Sequence, residues 1–138
     1  MAAAVLVDTG PLAALLDPSD NQATRCRAQL DKLETSDLIT SEAVITEASY
    51  LLDFSAAAQA GLQKLLAYGR PRVLAIEQSE RGRVAALLEK YRDLPMDYAD
   101  ATLVVLAERL GCARIFTLDR HDFGLYRLGR RKFELLPK

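Results

Sequence analysis

Two acidic residues follow segments that are predicted to be strands. Asp8 comes directly after the apolar run at residues 3–7, and Asp119 comes shortly after the predicted strand at residues 114–117. Either residue alone is equally typical of a turn or a helix cap, positions for which Asp is well suited. In parallel α/β sheets, ligands bind beyond the carboxyl ends of the strands, so both acids are candidates for one site.

Glu47 and Asp100 occur within helical patterns, on the same side as apolar residues. Glu47 shares a stripe with Val44, Leu51 and Phe54, which predicts that its side chain faces the protein. No Lys or Arg stands three or four residues away from either acid. A carboxylate directed at a core is costly unless it is paired or coordinates a metal, and a partner elsewhere in the fold is the alternative for Glu47.

A group of such acids suits a hard divalent cation. Asp97, three residues before Asp100, is predicted to cap the same helix, where two nearby carboxylates repel each other unless a cation relieves them. Four or five carboxylates form an oxygen-rich site of the kind that holds Mg²⁺ or Mn²⁺. The single histidine and the widely separated Cys26 and Cys112 argue against zinc. Hydrolysis of phosphodiester bonds fits a metal site of this kind.

The composition is that of an ordinary soluble protein. The chain has 138 residues, of which 50% are hydrophobic and 27% charged, so we expect a single domain over residues 1–138. No apolar run approaches the roughly 20 residues of a membrane helix. The first residues also lack the basic region of a signal peptide, and we therefore expect a cytoplasmic protein.

The charge is unevenly distributed along the chain. Residues 114–138 carry +4, whereas residues 1–113 carry −5. Such asymmetry indicates either a surface that faces phosphates or a solvated tail. We expect some phosphate contacts among the basic residues of the last segment, namely Arg120, Arg127, Arg130, Arg131 and Lys132.

The elements that would position the acids alternate between strands and helices. Strands are predicted at residues 3–7, 38–40, 72–76, 114–117 and 133–136. Helices are predicted at residues 11–16, 21–34, from Ser41 onward, and at 56–68, 78–92 and 98–110. Pro11 is expected to be the first residue of its helix. The alternation predicts an α/β fold, a three-layer α/β/α sandwich around a central, mostly parallel sheet.

Four segments, in this order, resemble the PIN-domain ribonucleases, and specifically the VapC-type toxins of bacterial toxin–antitoxin pairs. They are residues 5–10, 41–47, 97–101 and 116–123. The resemblance extends over nearly the whole chain. It implies a PIN-like fold, magnesium- or manganese-dependent endonuclease activity on RNA and a homodimer. It also implies inhibition by a cognate antitoxin whose C-terminal segment enters the active-site groove.

The resemblance also assigns roles to individual residues. The family's four acidic positions, which bind the metal and carry the catalysis, correspond to Asp8, Glu47, Asp100 and Asp119. Asp97 is similar to an accessory acid, and Asp122 is the alternative for the fourth position because it lies three residues from Asp119. Thr9 and Thr117 resemble the hydroxyl residues that lie beside the metal in the family.

Two other functions fit part of the pattern. The sequence Asp8-Thr9-Gly10 after an apolar strand resembles the signature of aspartic peptidases, but those enzymes are nearly all β and this chain has mostly helical periodicity. A catalytically inactive PIN module that binds RNA or a protein partner is the second alternative. The complete set of acids argues against it. Inhibition of cleavage by EDTA rather than by pepstatin-type peptides distinguishes the nuclease from the peptidase.

Overall fold

The computed structural model describes residues 2–138, and a sheet of five parallel strands lies at its centre. The strands are β1 (Ala4–Val7), β2 (Asp37–Thr40), β3 (Arg72–Val73), β4 (Arg114–Phe116) and β7 (Glu134–Leu136). Their order is β3-β2-β1-β4-β7, and each neighbouring pair is parallel. The first strand is central, and its residues Val5, Leu6 and Val7 are all buried, as expected of a strand covered on both faces.

Among residues 2–138, seven α-helices flank this sheet. They are α1 (Thr9–Leu16), α2 (Ala23–Lys32), α3 (Glu42–Leu51), α4 (Ala56–Ala67), α5 (Arg81–Lys90), α6 (Tyr98–Leu110) and α7 (Arg120–Leu125). Helix α1 packs against α2, α3 and α4, whereas α6 packs against α3, α5 and β1. The predicted three-layer α/β/α fold is therefore confirmed. No helix among residues 2–138 is long and apolar enough to cross a membrane.

The segment between β4 and β7 contains two elements that the sequence patterns did not predict. One is helix α7, and the other is a hairpin of β5 (Arg127–Leu128) and β6 (Arg131–Lys132), the two antiparallel strands of a separate sheet. Gly129 has a φ of 62° at the tight turn between them, a conformation that glycine adopts without steric cost. Strands of two residues are too short to show an alternating pattern.

Several predicted boundaries differ from the observed ones by one to three residues, and two of these differences have a clear physical reason. Helix α1 begins at Thr9 and not at Pro11, because the Asp8 side chain accepts a hydrogen bond from the Thr9 amide and caps the helix two residues earlier. Pro11 still lies in the first turn, where its missing N–H has no helical partner to lose. The strand predicted at residues 72–76 ends at Val73. It is an edge strand, and β2, the only strand with which it pairs, ends at Thr40.

Candidate active site

The carboxyl ends of three neighbouring strands turn into helices at one edge of the sheet. The N-caps of these helices are Asp8 after β1, Ser41 after β2 and Asp119 shortly after β4. The N-cap of α6 is Asp97, whose side chain accepts a hydrogen bond from the Asp100 amide at 2.8 Å. The folding pattern therefore brings acids from distant parts of the sequence to the edge at which α/β sheets bind ligands.

Asp8 is buried and held by two hydrogen bonds. Only 7% of the residue is exposed. Its Oδ1 accepts from the Thr9 amide at 2.8 Å, and its Oδ2 accepts from the Thr117 hydroxyl at 2.7 Å. The Asp8 amide in turn donates to the Phe116 carbonyl, which extends the pairing of β1 with β4. These contacts fix the orientation of the carboxylate at the end of the central strand.

Asp100 faces the interior from the first turn of α6 and is 8% exposed. Its Oδ2 accepts a hydrogen bond of 2.8 Å from the hydroxyl of Tyr126, which is fully buried. The Tyr126 ring is itself enclosed by edge-to-face contacts with Tyr91 and Phe123. Sequence analysis missed Tyr126 because it lies 26 residues away and belongs to no predicted element. A buried tyrosine that requires a partner for its hydroxyl was the signal available.

Glu47 is half-buried and reaches the same edge from α3. Its Oε2 accepts from the Thr9 hydroxyl at 3.2 Å, so Thr9 connects it to Asp8. The predicted apolar stripe around Glu47 was only partly right. Val44 is buried, but Leu51 and Phe54 are 52% and 63% exposed. Because α3 ends at Leu51, the helical spacing no longer applies to Phe54.

Asp119 and Asp122 lie together at the start of α7. Asp119 Oδ1 accepts from the Asp122 amide at 2.9 Å, and Asp122 Oδ1 contacts His121 Nδ1 at 2.8 Å. Each carboxylate therefore retains its Oδ2 for another ligand. Asp100, Asp119 and Asp122 each provide an oxygen within 4.8 Å of the other two, which is close enough for one cation. The structure therefore places Asp119 and Asp122 side by side, and the choice between them as the fourth acid stays open.

The carboxylates at this edge raise one another's pKa values. Burial raises the pKa of Asp8 to about 6; the charges of Asp119 and Asp97 add to the rise, while the hydrogen bonds from Thr117 and Thr9 oppose it. Burial also raises the pKa of Asp100, and the negative charges around it raise it further. The pKa of Glu47 is raised by burial and by the charge of Asp97.

The donor set matches a hard divalent cation. Within residues 2–138, no Lys or Arg forms an ion pair with Asp8, Glu47, Asp97, Asp100 or Asp119. We call these five residues, together with Asp122, the acidic cluster. Like charges gathered without bases are unstable unless protonated or bound to a cation, and carboxylate oxygens are the ligands that Mg²⁺ and Mn²⁺ prefer. The residues present therefore fit such an ion.

Comparison with known proteins places this arrangement in context. The PIN domain family matches residues 5–130 of the chain. Ribonuclease VapC26 of Mycobacterium tuberculosis (strain ATCC 25618 / H37Rv) is 30% identical over 136 residues, which are 96% of this chain and 100% of that protein. The crystal structure of M. tuberculosis VapC20, a toxin that cleaves the sarcin–ricin loop, matches with a TM-score of 0.76 and 18% identity. That match covers 85% of this chain and 91% of the other, and it concerns the fold alone.

Proposed function

This chain belongs to the PIN domain family, and we propose that it is a metal-dependent endoribonuclease that hydrolyses phosphodiester bonds of RNA. The acidic cluster is its reaction centre. The metal ligands are Asp8, Glu47, Asp100 and Asp119, with Asp97 and Asp122 as accessory acids. One observation carries the proposal: carboxylates from separate segments meet at the ligand-binding edge of the sheet, and no Lys or Arg among residues 2–138 forms an ion pair with them.

The residues around the cluster orient its carboxylates. Thr117 and the Thr9 amide hold the two oxygens of Asp8, and Tyr126 holds Asp100. Mg²⁺ or Mn²⁺, bound by the carboxylates, would lower the pKa of an attacking water and stabilise the leaving oxygen. Positioning by fixed hydrogen bonds matters because a displacement of about 1 Å at a reaction centre costs roughly 100-fold in rate.

Two alternative functions, an aspartic peptidase and a catalytically inactive PIN module, fit the structure less well. A parallel sheet flanked by helices is not the nearly all-β architecture of an aspartic peptidase, so that function is set aside. A catalytically inactive module would not need to retain unpaired acids whose repulsion destabilises the folded state.

Family membership also suggests where and with whom the protein acts. We propose that it is a cytoplasmic toxin, one PIN-like domain over residues 1–138, inhibited by a cognate antitoxin. A homodimer is supported by three exposed apolar side chains at and just after the end of α3, Tyr50, Leu51 and Phe54, since exposed apolar residues near one another are typical of interaction surfaces. Sedimentation of the wild type and of Phe54→Ser tests this assembly, and a monomeric wild type would contradict it.

The activity is tested by expressing the wild type and Asp8→Asn separately and mapping 5′ ends in total cellular RNA. We expect new 5′ ends with the wild type that are absent with Asp8→Asn. Asp31→Asn, the same change at an exposed position of α2, is the matched control and should retain the new ends. Identical ends from the wild type and Asp8→Asn would disprove the proposed reaction centre, and no new ends from either would favour an inactive module.

A further inference from the structure

A cavity lies at the same edge of the sheet as the acidic cluster, beside Tyr98 at the start of α6. Its volume is about 190 Å³, and it is enclosed by the starts of α3 and α6 and by residues 74–76, which follow β3. One of its walls is Tyr98, the residue directly after Asp97 and two before Asp100. The cavity therefore adjoins the reaction centre without sharing its carboxylates.

The walls of this cavity suit a flat aromatic ligand. Tyr98 is 45% exposed, and Ala43, Leu74 and Ile76 supply apolar surface. Arg81 Nη1 donates to the Tyr98 hydroxyl at 2.5 Å, which fixes the position of the ring. Stacking of a base on such a ring is worth about 1–3 kcal/mol and accounts for much of single-stranded RNA binding.

The polar groups at the cavity have opposite hydrogen-bonding character. Glu42 and Arg81 both line it, yet neither forms an ion pair within residues 2–138. An ionised Glu only accepts hydrogen bonds, whereas Arg only donates them. A ligand that binds both side chains must therefore present hydrogen-bond donors to Glu42 and acceptors to Arg81.

Hydrogen bonds connect other lining residues of the cavity. The Ser41 and Thr102 hydroxyls, which both line it, hydrogen-bond to each other at 2.7 Å. Arg109 Nη2 donates to the Ala75 carbonyl at 2.6 Å and holds the segment after β3 in place. A pocket formed in advance loses little conformational entropy when its ligand is bound.

We propose that this cavity binds a guanine base of the RNA strand, next to the bond that is cleaved. Guanine offers its N1–H and N2–H₂ donors to Glu42 and its O6 and N7 acceptors to Arg81, the pairing that Arg makes most often with this base. The volume is below the roughly 300 Å³ at which pockets for drug-sized ligands begin, so it suits one base rather than a whole nucleotide. The inference rests on the proposed ribonuclease function.

The strand order supports this path for the RNA. Ser41 and Leu74 place the cavity beyond β2 and β3, whereas Asp8 and Asp119 follow β1 and β4. Because these four strands are consecutive in the sheet, one RNA strand lying along the edge would reach the cavity and the cluster in turn. The base bound by Tyr98 thus belongs to a nucleotide close to the reacting phosphate and sets sequence preference.

The test is a titration of the protein with each of the four ribonucleoside 5′-monophosphates in EDTA. Amide chemical shifts of the protein measure the binding. Because all four nucleotides carry the same phosphate, differences in their affinities reflect the base. We expect GMP to bind most tightly and to shift the amides of Ala43, Ala75 and Tyr98. Tyr98→Leu should weaken GMP binding roughly fivefold or more, and Tyr98→Phe, which keeps the ring, should weaken it less. Tyr68→Leu, at an exposed tyrosine that ends α4, should change nothing.

Glu42→Gln gives a second readout at an exposed position, where folding is not at risk. This substitution should weaken the binding of GMP more than the binding of AMP, so that the preference for GMP decreases. Equal binding of all four nucleotides, or GMP binding unchanged by both Tyr98→Leu and Glu42→Gln, would overturn the inference. Cleavage by the wild type with magnesium is measured alongside. Cleavage without a guanine preference refutes the base site alone, and guanine binding without cleavage refutes the ribonuclease function alone.

Discussion

The charged residues at the two ends of helix α6 differ in whether they have a partner of opposite charge. At its C-terminal end, Glu108 accepts from the Arg83 guanidinium at 2.8 Å, and Arg109 donates to Glu80 at 3.0 Å. At its N-terminal end, Asp97 and Asp100 have no basic partner within residues 2–138. One helix thus carries an exposed ion-pair network at one end and an unneutralised acidic cluster at the other.

The pKa values follow this division. The hydrogen bond from Arg109 lowers the pKa of Glu80, whereas burial raises the pKa of Asp100. A carboxylate with a guanidinium partner is accounted for by the fold, but a buried one facing other acids destabilises the fold unless a ligand neutralises it. This difference separates acids that pair with Arg and stabilise the fold, such as Glu80, from the acids of the cluster, which we expect to act in the reaction.

The largest effect is expected on activity. Asp8→Asn, Glu47→Gln and Asp100→Asn should each lower the cleavage rate by roughly 100-fold or more, the scale on which the loss of one electrostatic contact at a reaction centre acts. Asp119→Asn should behave alike, and Asp97→Asn more mildly. The measurement is cleavage of a defined RNA with magnesium in excess, after circular dichroism has shown that each variant is folded.

Glu108→Gln is the matched control at the other end of the helix and should cleave at the wild-type rate. The separation fails if Glu47→Gln also cleaves at that rate, since Glu47 would then be a surface acid with a Thr9 contact and nothing more.

The next effect is on stability in the absence of metal. Because the folded-state pKa of Asp8 is about 6 and the ordinary value is 3.8, the folded protein holds more protons than the unfolded one between these values. Stability must therefore fall as pH rises through this window. Between pH 5.5 and 7.5 the loss from Asp8 alone is about 1 kcal/mol, and Asp100 adds to it.

Thermal melting in EDTA at pH 5.5 and 7.5 measures this loss. Asp100→Asn should melt higher than the wild type at pH 7.5 and lose less stability between the two pH values, because the folded state no longer has to bury a carboxyl that ionises in the unfolded chain. Magnesium at a hundred times its dissociation constant should stabilise the wild type by about 2.7 kcal/mol. If Asp100→Asn melts lower than the wild type in EDTA at pH 7.5, Asp100 is a structural partner of Tyr126 and the reaction centre is misplaced.

A smaller effect is expected from the bases near the cluster. Arg120 and Arg127 donate to the carbonyls of Pro137 and Gly124, but Arg130, Arg131 and Lys132 are exposed and form no ion pair within residues 2–138. These three lie on the β5–β6 hairpin that directly follows Tyr126, the partner of Asp100. We therefore expect this hairpin to contact RNA phosphates.

Changing all three to Gln should reduce the salt dependence of RNA binding. The slope of log affinity against log salt should fall by about 0.7 for each lost phosphate contact with a single strand. Anisotropy of a labelled RNA in EDTA measures it, and Arg25→Gln, Arg27→Gln and Lys32→Gln on α2 form the matched control. An unchanged slope in the hairpin variant would make the hairpin an ordinary solvated surface.

The smallest effect is expected at the paired end of α6. Glu108→Gln removes a partner of Arg83, but both side chains are partly exposed, so the loss of stability should be at most about 1 kcal/mol. The difference from the wild type should shrink further in high salt, because exposed charges are screened. A larger loss on melting would show that this ion-pair network does more for the fold than its exposure suggests.

The sequence predicted the fold and the approximate place of the acids because both depend on local patterns. Short apolar runs such as residues 3–7 predicted the buried strands, and an acid after such a run lies at a strand end in any parallel sheet. The lack of local partners around Asp100 was also readable, and the structure confirms that the residue is buried.

What the sequence did not predict depends on contacts between distant segments. The hydrogen bond from Tyr126 to Asp100 requires the hairpin to fold back on α6, and no spacing rule indicates it. The exposure of Phe54 follows from where α3 ends, and boundaries of helices are poorly defined by periodicity. The cavity beside Tyr98 is formed by four separate segments, so local sequence patterns could not indicate it either.

The central position of β1 has a consequence for synthesis of the protein on the ribosome. Its first neighbour, β2, emerges soon after it, but the neighbour on its other side, β4, ends only at Phe116. Translation proceeds at roughly 5–20 residues per second, so Thr117 and Asp119 are added several seconds after Asp8. A growing chain therefore holds only part of the cluster, and a ribonuclease built in this order cannot attack RNA in the cell until nearly its whole length has been made.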